Sequence, residues 1–324
     1  MRLKDLGERR VIARIRRAFG EPRTDIPIGI GDDAAVVKAP GSLLLTTDIL
    51  IEDEDFRRAV HPPRLLGRKA LNVNLSDVAA MGGRPLHALV GMAMPGDIEE
   101  GWLLRFMAGF RSAACEAGVA LVGGDLSRAD KIMISVTVTG EAKSPVTRCG
   151  ARPGDSIFVS GTLGDAAQGL RLLEGGGLRG TGKAARTLVK AFLDPTPRLE
   201  LGRLLARKKL ASAMIDISDG LSVDLAHIGE ESGVGADVEA SRIPISAALR
   251  RLAADPLATA LDGGEDFELL FTVRPEALAA VEALASDFKL TRIGRIIAGR
   301  RIFLIAPNKK KKPLRTGGFE HFAG

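Results

Sequence analysis

Tyrosine is absent from these 324 residues, tryptophan occurs once, and cysteine occurs twice, at Cys115 and Cys149. With aromatics at 4% and apolar residues at 45%, the cores must be built mainly from Ala, Leu, Val and Ile. Two distant cysteines exclude a disulfide framework and a Cys-based zinc site. His61, His87, His227 and His321 do not fall at metal-ligand spacing and read as packed or surface groups. No apolar run reaches the roughly 20 residues of a membrane span. The start, MRLKDLGERR, lacks the apolar stretch of a signal peptide. The expectation is a cytoplasmic, globular chain.

Positive charge is in excess, +6 with a pI near 9.5, which favours anionic partners. Part of it is local, in NKKKKPLR, where Lys309 to Lys312 form a run without interleaved aromatics. That run reads as a solvated loop, and no familiar nucleic-acid motif accompanies it. Phosphate is the better-matched anion. The acidic run Glu52, Asp53, Glu54 and Asp55 likewise reads as a solvated loop, and Cys115, among alanines on a helix, reads as core.

Periodicity predicts a helix in ERRVIARIRRAFG, ending at Gly20, then a hairpin of AAVVK and SLLLTTD around the turn residues APG. A helix from Pro63 to Met81 follows, stopped by Gly82 and Gly83. LHALVGMAM reads as a buried strand, 98–116 as a helix closed by Gly118, and VALVGG and KIMISVTVTGEA as strands. Pro, Gly and Arg collect in SPVTRCGARPGD and mark a boundary. Beyond it come a strand SIFVSG, a helix LGDAAQGLRLLE and the glycine-rich loop GGGLRGTG, which lacks the Gly-Lys-Ser/Thr ending of a nucleotide loop. Helices at 183–193 and 198–208, a strand AMIDIS, a helix GLSVDLAHIGEES and a strand EDFELLFTV complete the pass. The mixture predicts an α+β architecture in two domains, 1–145 and 146–324.

The informative pattern is one local design used repeatedly: an aspartate at a strand end beside Gly, Ser or Thr. It occurs as GDDAA (Asp32, Asp33), LTTD (Thr46, Thr47, Asp48), GGD (Gly123, Gly124, Asp125), DISDG (Asp216, Ser218, Asp219) and GGED (Glu265, Asp266). In NLSD, Asp77 lies late in a predicted helix, where it opposes the dipole. Each alone is an ordinary cap or turn. If they converge, each carboxylate pair about 4 Å apart costs roughly 4 kcal/mol at an effective dielectric near 20. Several such pairs would exceed a domain's net stability of about 5–15 kcal/mol unless cations neutralise them. Carboxylate and hydroxyl oxygens suit hard Mg²⁺ rather than Zn²⁺, and magnesium is commonly completed by substrate phosphates.

Taken together, IGIGDDAAVV, LLLTTDIL, RKALNVNLSDVAAMGGRP, LVGGDLSR, VTRCGARPGDSIFVSGTLGDAA, DISDGLSVDLAHI and LDGGEDFELLFTV resemble the thiamine-monophosphate kinase family, within the aminoimidazole ribonucleotide synthetase-like ATP-binding superfamily. The motifs stand in family order over roughly 25–273, and the closing GGFEHF is also similar. The resemblance implies two α/β-type domains, a homodimer whose N-terminal domains pair strands, and ATP-dependent conversion of thiamine monophosphate to thiamine diphosphate. It implies Asp32, Asp33, Asp48, Asp77, Asp125, Asp216 and Asp219 as magnesium carboxylates, with Thr46 and Thr47 adding oxygens. Gly124, Asp125, Arg148 and Ser218 fall at nucleotide-contacting positions, and Glu265 and Phe319 where the family holds thiamine. Asp33, Asp77, Asp125, Arg148 and Asp219 would be the groups at the transferring phosphate.

One position departs from the family. A His usually follows the Ser-Thr-Asp motif by about seven residues, whereas Asp55 stands there and the next His is His61. An acidic residue at that point could favour a cationic thiazolium. Sister activities fit less well. No Cys precedes Cys115, as a selenophosphate synthetase requires, and the chain ends EHFAG, without the terminal Cys of a hydrogenase-maturation relative. A non-enzymatic nucleic-acid-binding role would rest on Lys309 to Lys312 alone. The partners implied are thiamine monophosphate, ATP and a second copy, with neither nucleic acid nor membrane.

Overall fold

The computed structural model describes residues 27–28, 35–39, 41–175 and 182–318. The expected first helix, most of GGGLRGTG, Asp32, Asp33, Phe319 and His321 lie outside them.

The first half is a sheet with two helices on one face. Strands β1 (Ala35–Ala39) and β2 (Gly41–Ile51) form the expected antiparallel hairpin. Helix α1 (Pro63–Ala80) begins on a proline, whose missing N–H costs nothing in a first turn, and gives way to Gly82 at φ 67°. Strand β3 (Arg84–Met94), helix α2 (Glu100–Ala117), β4 (Ala120–Arg128) and β5 (Met133–Glu141) follow. The strand order is β1-β2-β5-β3-β4, with β4 parallel to β3. β3 alternates buried and exposed residues instead of being buried throughout, because only its inner face meets the helices. Leu44, Leu71, Phe106, Ile134 and Val136 centre that core.

The second half holds β6 (Ser156–Val159), α3 (Asp165–Glu174), α4 (Lys183–Leu193), α5 (Leu199–Arg207), β7 (Ala213–Asp216), α6 (Leu221–Ser232), β8 (Gly235–Glu239), β9 (Leu269–Val273), β10 (Thr291–Ile297), β11 (Ile302–Ile305) and β12 (Lys311–Pro313). Its sheet runs β12-β11-β8-β10-β6-β9-β7. Alternate residues of β6, β7 and β9 enter two different cores. Ile157, Ile215 and Leu270 face one; Phe158, Met214 and Phe271 face the other. Among the described residues, no helix is long and apolar enough to cross a membrane.

α1 is the hinge pin of the molecule. It packs on α2, β2 and β5 in the first half and on α5 and β7 in the second. A Cβ on Gly202 of α5 would lie 2.1 Å from the Ala79 carbonyl oxygen, so this close helix approach requires glycine.

Several local expectations are corrected. EDFE precedes the strand rather than opening it, since β9 begins at Leu269. Asp48 and Asp125 lie inside strands, not at their ends. Cys115 is exposed, on the outer side of α2. Glu52 is buried, held by Arg58 and accepting from Ile132 N–H at 3.0 Å, so the acidic run is only partly solvated. Lys311 and Lys312 of the lysine run lie in an exposed edge strand, and Lys311 Nζ pairs with buried Asp237 at 2.8 Å.

Candidate active site

Lys69, Ser76 and Asp77 stand seven and eight residues apart on α1, two turns of helix, so they share a face. That face meets the seam between the two sheets. Ser76 Oγ donates to Asp216 Oδ2, at the end of β7, at 2.5 Å. Thr46 Oγ1 of β2 donates to Asp77 Oδ2, also at 2.5 Å. The misplaced helix-end aspartate is therefore held by a strand hydroxyl, and its neighbouring serine ties the first half to the second.

Asp48 lies two residues from Thr46, on the same side of β2. Its carboxyl is pushed up to about 6, first by burial, then by the negative charges of Asp55 and Asp219. This is the electrostatic signature of carboxylates gathered from distant parts of the chain. The donors at the seam are carboxylates and a hydroxyl, a set that fits a hard divalent cation and would be relieved by one. Asp55 is itself oriented, its Oδ2 accepting from Ile51 N–H at 2.7 Å.

The loop Gly263–Glu268 distributes three carboxylates to three partners. Asp266 accepts from Gly164 and Ala166 N–H at the start of α3, at 2.6 and 3.3 Å, and burial holds its carboxyl well above the usual range. Glu268 pairs with Arg198 and accepts from Ser160 Oγ at 2.5 Å. Glu265 pairs with Lys69 Nζ at 2.8 Å. Its backbone is left-handed, φ 67°, and is anchored by Glu265 N–H donating to Ser218 O at 2.7 Å. Asp266 and Glu268 are thus scaffolding, and Glu265 is the member that reaches the seam.

Two groups join the site that composition did not single out. His227 and Asp224, one turn apart on α6, bring side-chain ligand atoms within 4.8 Å of each other and of Asp219. Asp224 Oδ2 also accepts from Asp219 and Gly220 N–H at 3.2 and 3.1 Å, bracing the turn that carries Asp219. The i, i+3 spacing after DISDG was the available signal. Lys69 carried a similar one, its helical phase with Asp77.

Other expected residues are not brought to this cluster. Thr47 points to the opposite side of β2, where its hydroxyl donates to Val136 O at 3.1 Å and meets Thr137 Oγ1 at 3.0 Å. Strand register aligns Asp125 with Gly91, Ser135 and Ile49, the same outer side. Gly124 is required by the sheet, since a Cβ there would lie 1.9 Å from Val90 O. Arg148 is half-buried in the connection between sheets, its carbonyl accepting from Ser232 Oγ at 3.0 Å. A cavity of about 870 Å³ is lined by Arg84, Arg203, Arg207 and Lys209 and by none of these carboxylates. The converging acids, not this cavity, mark the candidate site.

Residues 31–142 match the family model described as AIR synthase related protein, N-terminal domain, and 152–307 match its C-terminal domain. A thiamine-monophosphate kinase from Aquifex aeolicus is 39% identical, over 99% of this chain and 100% of that protein. One from Escherichia coli O157:H7 is 36% identical over 98% of each. A solved structure described as AaThiL complexed with AMPPCP and TMP superposes with a TM-score of 0.89 at 37% identity, over 99% of both chains.

Proposed function

The chain belongs to the thiamine-monophosphate kinases of the AIR synthase related family, and from that membership we propose direct in-line transfer of the ATP γ-phosphoryl group to the phosphate of thiamine monophosphate. The observation that carries the reading is the seam where Asp48, Asp77, Asp216 and Asp219, from both halves, are drawn together. Magnesium is the cation their oxygens suit; when bound it neutralises phosphate charge and polarises the transferring group.

The residues divide the work. Asp48, Asp77, Asp216 and Asp219 hold the cations, with Asp32 and Asp33 contributed from outside the described residues. Thr46 fixes the orientation of Asp77 through its 2.5 Å hydrogen bond. Gly124, Asp125, Arg148 and Ser218 serve the nucleotide, while Asp55, Glu265 and Phe319 serve the thiamine. Residues 1–145 carry ATP and dimer contacts, and 146–324 complete the site. The location is the cytoplasm.

The nucleophile is a phosphate oxygen, largely ionised near neutral pH, so the step needs no strong general base. The difficulty is bringing two phosphate anions into line, which cations and Arg148 would relieve. Direct transfer requires inversion at a chirally labelled γ-phosphorus, whereas retention would indicate a phosphoenzyme and overturn the mechanism.

The exposed outer side of the first sheet supports a homodimer. Ile49 is 55% exposed, and Leu89 and Met133 are exposed on the same side. Such a contiguous apolar patch is uncommon on a monomer. A second copy laid there covers it and brings Thr47 and Asp125 against the neighbouring chain.

A further inference from the structure

Lys69 is fully buried, and its ammonium has two partners among the described residues. Nζ lies 3.8 Å from the centroid of the Phe192 ring and 2.8 Å from Glu265 Oε1. The pair is in ionic contact although its angles fall outside hydrogen-bond geometry, so charge rather than a directed bond joins the two. His61 packs edge-on against Phe192, centroids 5.1 Å apart, and against Phe56. Burial and the nearby Lys69 charge lower the His61 pKa to about 3.

Glu265 is the opposite case, with 32% of its side chain exposed at the seam. Its main chain is fixed to Ser218, next to Asp219, and its side chain is fixed to a helix of the other half. Without the ammonium, the Glu265 carboxylate would lose the ion pair that ties it to α1.

We infer that Lys69 is a positioning residue: its buried ammonium, seated on Phe192, aims Glu265 at the cationic ring of the acceptor and so sets acceptor selectivity. This deepens the functional reading, since it rests on Glu265 meeting the substrate. Lys69 touches no reacting atom. Its effect passes entirely through Glu265, which separates it from a general interdomain clamp.

The test is steady-state kinetics of the full-length protein with Lys69→Met, Glu265→Gln and the double variant. Lys69→Met keeps length and the contact with Phe192 but removes the charge. kcat/KM for thiamine monophosphate is expected to fall about tenfold, which corresponds to about 1.4 kcal/mol, while the KM for ATP stays within twofold. In the Glu265→Gln background, Lys69→Met should add nothing. The inhibition constant of a phosphate ester with an uncharged ring should not move, because that ligand offers Glu265 no cation. Additive effects, or equal losses toward ATP and acceptor, would overturn the inference in favour of a structural clamp. If Lys69→Met does not fold, Phe192→Leu must show the same acceptor-only loss, smaller in size, and an unchanged acceptor KM there overturns it equally. Wild-type protein that fails to turn over thiamine monophosphate would defeat the functional reading. Wild-type turnover with an indifferent Lys69→Met would defeat this inference alone.

Discussion

The two sheets differ in how they are covered. The second places Ile157, Ile215 and Leu270 in one core and Phe158, Met214 and Phe271 in another, so both faces are closed. The first has one core, on the side of α1 and α2, and leaves Ile49, Leu89 and Met133 exposed on the other. A sheet covered twice is a finished scaffold; a sheet covered once has surface left for something else. The acidic seam lies between them, on the covered side of the first sheet. Thr47 and Asp125 sit on its uncovered side. The acidic seam and the exposed apolar residues therefore lie on opposite faces of one five-stranded sheet.

The largest expected effect breaks the seam itself. Asp77→Asn and Asp219→Asn should each lower kcat/KM by about a thousandfold or more, in line with the loss of groups stabilising transferring charge. Both variants should remain folded by circular dichroism. Activity within tenfold of wild type would remove these residues from the site.

The unequal covering can be probed by a pair of truncations. Phe271→Ala, in a closed core, should cost about 3–5 kcal/mol in denaturant unfolding. Ile49→Ala should cost under about 1 kcal/mol in the same assay, as expected of an exposed position. Ile49→Asp combined with Leu89→Asp should halve the mass in sedimentation velocity. A double variant that sediments like wild type would mean that the open face is not where copies meet.

A smaller effect sharpens the electrostatics of the seam. Asp48 has a folded pKa near 6 against an ordinary 3.8, so the folded state holds this proton more tightly. In chelator, its stabilising contribution is present below about pH 4 and lost as pH rises through 6. The melting temperature of Asp48→Asn, relative to wild type, should therefore rise between pH 4.5 and 7.5. A difference flat across that range would contradict the crowding.

Least affected should be the replacement of Lys309 to Lys312 by Ala. Asp237 loses Lys311 but keeps Arg295 at 3.4 Å, so a modest drop in melting temperature and unchanged turnover are expected. Loss of activity there would revive an electrostatic role for the tail.

Much of this organisation was legible in the residues. Pro63 and Gly82 bracket α1 because one tolerates a first turn and the other takes positive φ. The repeated aspartates pointed to carboxylates that converge, and Asp48 is indeed crowded by Asp55 and Asp219. What escaped notice was mostly long-range. Lys69 and Glu265 are far apart in the chain, and no local pattern pairs them. Arg198, just before α5, is the counter-ion of Glu268, far away in the chain. Strand alternation did carry one overlooked signal: adjacent Thr46 and Thr47 cannot face the same side. Cys115 was misjudged because its alanine neighbours, Ala113 and Ala114, are buried while it sits one position further round the helix.

The central claim is that the seam transfers phosphate to phosphate. An ATP assay with magnesium and thiamine monophosphate, thiamine or pyridoxal as acceptor tests it most directly. The account predicts ADP release and thiamine diphosphate with the first acceptor only. Turnover confined to the unphosphorylated acceptors would contradict it.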